Sequence, residues 1–336
     1  MFLSAALLAF PALAANARSP AGAALLEAVL PPPAYTGFQH SAELVSRHAW
    51  PECDVEIYRQ ANGPGSSQRV VVALPKSAEG RLPAVVVPYY FPDPLLGFVP
   101  ETHSPLPPDE QKAFSGEPQL MAELVSRGYV CISCDAFHLT YPSVQAALPR
   151  ISWDRWKEAG EGVARDWPGW TGIGKMAFDA SLLVEFARSH PRVDSARIAL
   201  AGHSLGGKIA FYAGCLDGGR RVRAMLLSDF GFRWDRSNWG DVHYYGAALA
   251  RVQAAGATHA DLLAHANGLP LCLLAGEYDD ESSFAAIRGV AAYAGAPAER
   301  LLLVNHASGH RPPPSARERG YGFLARALGS DSRQRP

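Results

Sequence analysis

The stretch Arg197-Ile-Ala-Leu-Ala-Gly-His-Ser-Leu-Gly-Gly-Lys-Ile-Ala-Phe-Tyr212 constrains the chain more than any other. A short apolar run meets a glycine-bracketed serine and then an amphipathic segment, which reads as strand, sharp turn and helix. Its centre, Gly202-His203-Ser204-Leu205-Gly206, fits G-x-S-x-G, in which a serine sits on a strained turn with its hydroxyl clear of the sheet. Glycines are demanded there because a Cβ two residues from the serine would strike the strand or the helix. The same letters fit G-x-x-x-x-G-K, as does the stretch from Gly169 to Lys175. A phosphate loop needs Ser or Thr next to hold Mg²⁺, and Ile209 and Met176 stand in those places.

Alternation of strand-like and helix-like segments continues along the 336 residues. Strands are expected at 54–58, 69–73, 83–90, 129–134, 197–201, 222–227, 270–274 and 301–304, and helices at 119–127, 176–188, 205–215, 282–294 and 315–328. Such alternation predicts an α/β fold: a mostly parallel sheet of about eight strands with helices on both faces. One domain is expected over 51–330, preceded by a linker and surface helix at 16–50. Insertions at 91–118 and 135–175 and a third loop after 222–227 form cap-like additions. Residues 1–15 carry an apolar run ending in Ala12-Leu13-Ala14, read as a signal peptide, so a secreted or periplasmic location is expected. The run lacks the basic residues that normally open such a segment.

Apolar residues make up 48% of the chain and charged residues 19%, enough for a large core, and the net charge of −1 argues against nucleic-acid or anionic-membrane partners. The five cysteines are an odd number, and Cys131-x-x-Cys134 lies in a strand, where a redox pair lacks the helix N-terminus that lowers a thiol pKa. They read as buried small hydrophobes.

In open α/β sheets, ligands bind beyond the carboxyl ends of the strands. The loops there supply partners for Ser204, since a serine nucleophile needs a base and the base an orienting acid. Beyond the last strand stand His306 and His310; the flexible glycine before His310 favours it as the base. The loop after 270–274 holds Asp279 and Asp280, of which Asp279 is taken as the acid, with Asp280 and then Asp229 as alternatives. The oxyanion-hole donors expected are the backbone N–H groups of Leu205 and of Tyr90 or Phe91. Lys208, one turn into the helix, reads as structural. Tryptophans at 153, 156, 167 and 170, and Trp234, Trp239, Tyr244 and Tyr245, crowd two of the loops. His203, Trp239 and Tyr244 are the substrate-contact candidates, the alternative being that these aromatics simply pack the insertions onto the domain.

With these residues placed, the chain resembles the α/β-hydrolase superfamily. Pro83-Ala-Val-Val-Val-Pro-Tyr-Tyr90, the stretch from Val193 to Lys208, and Ser308-Gly-His-Arg-Pro-Pro313 are similar to the dienelactone-hydrolase and acetyl-xylan-esterase-like branch. The resemblance implies a secreted carboxylic ester hydrolase acting on acylated or methyl-esterified carbohydrate or small esters, with no metal or organic cofactor. It implies Ser204 as nucleophile, His310 as base and Asp279 as acid. A catalytically silent binding protein, a peptidase or a thioesterase of the same fold are the alternatives.

Overall fold

The computed structural model describes residues 20–29 and 41–329 apart from positions 64, 77–78 and 146, so the expected signal segment lies outside the described residues. Among them the chain builds one nine-stranded sheet. Its strands are β1 (Ala42–Ala49), β2 (Asp54–Gly63), β3 (Ser66–Leu74), β4 (Leu82–Val86), β5 (Val130–Cys134), β6 (Val193–His203), β7 (Ala224–Ser228), β8 (Leu271–Ala275) and β9 (Leu301–Asn305), in the order β1-β2-β3-β5-β4-β6-β7-β8-β9. β1 to β3 are antiparallel, β3 joins β5 antiparallel, and every pairing from β5 through β4 to β9 is parallel.

The parallel strands read as continuous apolar runs because helices cover both faces. Alternate residues feed two separate cores: Val86, Ile132 and Leu200 face helices Gly172–Ser189 and Leu205–Asp217, and Val85, Cys131 and Ala201 face helices Leu120–Val125 and Pro314–Ala327. Cys131 and Cys134 fall on opposite faces, and all five cysteines are buried free thiols.

The structure adds one strand to the eight expected. β1 lies inside the stretch 16–50 read as linker and surface helix; among the described residues of that stretch, Pro20–Val29 is helical. β1 pairs only with β2, and its residues are exposed or half-buried throughout, so Ala42-Glu-Leu-Val-Ser-Arg-His-Ala49 carries no clean apolar alternation. The helix Glu281–Arg288 is shorter than expected, the chain continuing through a single 3₁₀ turn at Ala291–Tyr293.

A buried polar cluster crosses from sheet to helix. The Lys175 ammonium, 1% exposed, donates to Asp179 Oδ1 at 2.5 Å and to the carbonyl of Asn62 on β2 at 3.0 Å. Lys175→Met would leave Asp179 as an uncompensated buried carboxylate, a loss of about 3–5 kcal/mol in urea-denaturation stability. Pairing it with Asp179→Leu is expected to restore most of that loss.

Candidate active site

Ser204 stands between β6 and helix Leu205–Asp217 with φ 55° and ψ −119°, a backbone conformation uncommon for a residue with a side chain. The turn tolerates nothing larger than glycine two residues to either side, at positions 202 and 206. A Cβ on Gly202 would lie 2.1 Å from the Gly206 carbonyl oxygen, and one on Gly206 would lie 2.2 Å from that of Pro88. This second approach brings the segment after β4, ending in Tyr90, against the helix start. Ser204 N–H donates to the Ser228 carbonyl at 2.9 Å, which locks the turn to the end of β7. Leu205 opens the helix and is buried, so its N–H belongs to the first turn, where amides lack intrahelical acceptors.

His310 arrives from the loop after β9. Its Nδ1 lies 2.7 Å from Asp229 Oδ2, and its ring packs between those of His203 at 4.6 Å and Tyr278 at 4.7 Å, centroid to centroid. His203 is the residue before Ser204, so the serine and the histidine share one neighbourhood. Asp229 follows β7 directly and is fully buried. Its other oxygen, Oδ1, accepts the backbone N–H groups of Gly276, Glu277, Tyr278 and Asp279, at 2.9–3.0 Å. Burial pushes this carboxyl up, but the His310 hydrogen bond and the amides outweigh it, so Asp229 titrates below the usual carboxylate range.

The expectation that Asp279 meets the histidine is therefore corrected. Asp279 accepts the amides of Phe230 and Gly231 on Oδ2, at 2.9 and 3.0 Å, and that of Phe232 on Oδ1 at 2.7 Å, with the Ser283 hydroxyl also donating to it. It is a clip on the loop after β7, and burial holds its carboxyl above the usual range. Asp280 caps the helix Glu281–Arg288, its Oδ1 accepting from Ser282 N–H at 2.8 Å, and pairs with Arg236. His306 is turned aside onto Ser308 Oγ at 2.8 Å and packs over Gly276.

The three substrate-contact candidates are buried. His203 accepts or donates at Ser228 Oγ, 3.0 Å from Nδ1, and Trp239 donates to the Gly231 carbonyl at 2.8 Å. The rings of Trp239 and Tyr244 close on Lys208, whose ammonium lies 4.3 and 4.2 Å from their centroids and bonds Ser237 Oγ and Asn238 Oδ1. These aromatics serve packing, as do Trp156 and Trp170; each is too enclosed to offer a face to a sugar ring. Among the described residues the exposed large aromatics are instead Trp153, at the start of helix Trp153–Asp166, and Tyr278 against His310. In the sequence Tyr278 carries no motif of its own, lying among the four carboxylates Glu277, Asp279, Asp280 and Glu281. Glu117, which bonds Arg311 Nε at 3.0 Å, sits in a Pro-rich loop with no motif around it.

The sheet order, the strained serine turn and the strand-end loops together are those of an α/β-hydrolase fold. A glucuronoyl esterase from Solibacter usitatus shares it with a TM-score of 0.68 at 15% identity, over 94% of this chain and 93% of that one. A CE15 glucuronoyl esterase from Teredinibacter turnerae has a TM-score of 0.58 at 19% identity, covering 87% and 78%. Acetyl xylan esterase 1 from a Thermoanaerobacterium species has 0.57 at 13% identity, covering 91% and 92%. No protein-family model matches the sequence, and no curated protein sequence is similar to it.

Burial pushes the Lys208 amine down to about 7, against the pull of Asp241 and Asp279. Between that value and the ordinary lysine pKa the unfolded chain holds a proton that the folded chain lacks, so stability rises with pH across that window. Urea midpoints measured from pH 7 to 10 are expected to climb in the native protein relative to Lys208→Met, whose profile should be flatter.

Proposed function

We propose that the protein is a serine ester hydrolase acting on acylated or esterified carbohydrate. The observation that carries this reading is the 2.7 Å contact between His310 Nδ1 and the buried Asp229, beside a serine on a strained strand-to-helix turn. With Nδ1–H donated to Asp229, Nε2 is left free to accept a proton, as a base for Ser204 requires. Ser204 Oγ then attacks the ester carbonyl, and its proton passes to His310. The alkoxide rests on the N–H of Leu205 and on that of Tyr90 or Phe91, with the helix start adding a partial positive charge. Collapse releases the alcohol, protonated by His310, and a water activated by the same histidine frees the acid.

Asp229 fits the acid's role because it stays ionised while His310 becomes a cation, and because four amides stop it from turning away. Support for a carbohydrate ester comes from proteins of similar fold, several of which are glucuronoyl and acetyl xylan esterases. The exposed Trp153 and Tyr278 rings agree with a substrate that offers flat, partly apolar faces. Export, read from residues 1–15, belongs to the same proposal, since polymeric glycans lie outside the cell.

Ser204→Ala is expected to abolish hydrolysis of p-nitrophenyl acetate and labelling by a fluorophosphonate probe, with the fold retained by circular dichroism; full activity in this variant would refute the nucleophile. Asp229→Asn should lower kcat about 10³–10⁴-fold by stranding the wrong imidazole tautomer. Asp279→Asn should instead lower the melting temperature, because an amide group cannot accept all the N–H groups that the carboxylate accepts, with a smaller effect on kcat. A screen over acetylated xylan, methyl-esterified pectin, glucuronoyl esters and aryl esters would name the substrate.

A further inference from the structure

Glu117 closes the insertion after β4, and its largely buried carboxylate lies among three parts of the site. Oε1 accepts from Arg311 Nε at 3.0 Å. Oε2 lies 3.2 Å from His203 Nε2, off the line of a well-formed hydrogen bond, and accepts from the Tyr89 hydroxyl at 3.3 Å. Arg311 follows His310 in the chain and His203 precedes Ser204. One carboxylate thus touches the chain neighbours of both the serine and the histidine.

The contact is part of a longer seam. Gly116, at φ 77°, lays its backbone along the Arg311 side chain, where an added Cβ would come within 3.4 Å of a guanidinium nitrogen. Further on, Glu123 accepts from Arg317 Nε at 2.9 Å and from the Tyr321 hydroxyl at 2.7 Å, and Arg127 pairs with Glu318. Arg317 also donates to the Pro312 carbonyl at 2.7 Å. The segment 116–127 is therefore fastened to 311–321 at several points.

His310 needs such a fastening. Asp229 holds it through one nitrogen, which fixes a pivot but leaves the ring free to swing about it. The swing is limited by the flanking rings and by the backbone at Arg311. His203, on one flank, is held by Ser228 Oγ and faced by Glu117. Burial pushes the Glu117 carboxyl up, yet His203 and Arg311 hold it down to about 2, so the charge persists through the neutral range.

We propose that Glu117 is a positioning residue for the Ser204–His310 pair, fixing the backbone beside His310 through Arg311 and the flank of its imidazole through His203. The proposal rests on the ester-hydrolase reading. Its test is a double-variant cycle on p-nitrophenyl acetate with Glu117→Gln, Arg311→Ala, Arg311→Lys and the pair Glu117→Gln/Arg311→Ala. Each of the first two is expected to lower kcat about tenfold with KM within about twofold, and Arg311→Lys to recover most of the loss. Because Arg311 acts through Glu117, the double variant should be little worse than Glu117→Gln alone. Losses that multiply to about a hundredfold, an effect confined to KM, or unchanged kcat would overturn the role. Should Glu117→Gln fail to fold by its melting curve, the comparison of Arg311→Ala with Arg311→Lys decides: equal loss in both refutes the ion pair. A native enzyme that hydrolyses no ester and takes no fluorophosphonate would sink the ester-hydrolase reading itself, whereas an active native enzyme with independent variants would sink only the part assigned to Glu117.

Discussion

The backbone of Ser204 is the constraint on which the rest of the site depends. A non-glycine residue at φ 55° and ψ −119° carries strain of about 1–3 kcal/mol, and such strain persists only where the surroundings over-determine it. Here the Ser204 amide is tied to β7 through Ser228, Gly206 lies under Pro88 from the end of β4, and Gly202 lies under the Gly206 carbonyl. The turn is thus gripped by the two strands that flank β6. Any loop that follows β4 or β7 inherits a fixed position relative to the serine turn, which is why the chain at Pro88 and at Ser228, next to Asp229, lies against it.

Adjacent strands ending at one level offer two places from which an acid can reach a histidine. Asp229 follows β7 and Asp279 follows β8, only a strand spacing apart, and both are buried. What separates them is which amides each oxygen meets. Asp229 turns one oxygen to the amides of residues 276–279 and keeps the other for His310; Asp279 is occupied by the amides of Phe230, Gly231 and Phe232 and by Ser283. The two carboxylates hold one another's loops, each accepting from the chain beside the other. Their titration is driven apart accordingly, Asp229 downward and Asp279 upward, and a carboxylate that stays ionised is the one suited to a developing imidazolium.

Periodicity made much of the fold legible in sequence. Buried parallel strands and two-faced helices leave strong patterns, and the serine turn announces itself because only glycine fits at positions 202 and 206. β1 left none, being an edge strand with one face exposed and the other only half-buried. The choice between Asp229 and Asp279 was not legible either, because it depends on backbone amides that carry no residue code. The aromatic loops misled for a related reason: Trp239 and Tyr244 have the composition of a sugar platform, but Lys208 turns its ammonium onto their faces and the loop closes over all three. Only exposure separates a platform from a packed ring, and exposure is set by the tertiary fold.

The two insertions are tied to the sheet by buried charges. Arg69 on β3 donates to Asp135 Oδ1 at 3.0 Å and Glu101 Oε1 at 2.7 Å and pairs with Asp93, so one guanidinium joins both insertions to the sheet. Arg150 carries the link further, reaching Asp93 at 3.2 Å while its guanidinium lies 3.9 Å from the centroid of the Phe91 ring. Behind Tyr90, His138 stacks on Trp156 at 3.8 Å between centroids, and the Tyr90 ring meets Trp156 edge-on. Moving either insertion would strand buried charges, Asp93 above all, at a cost of about 3–5 kcal/mol. The segment proposed to carry the second oxyanion donor is therefore held before any substrate arrives, which is the condition under which fixed dipoles stabilise a developing charge most effectively.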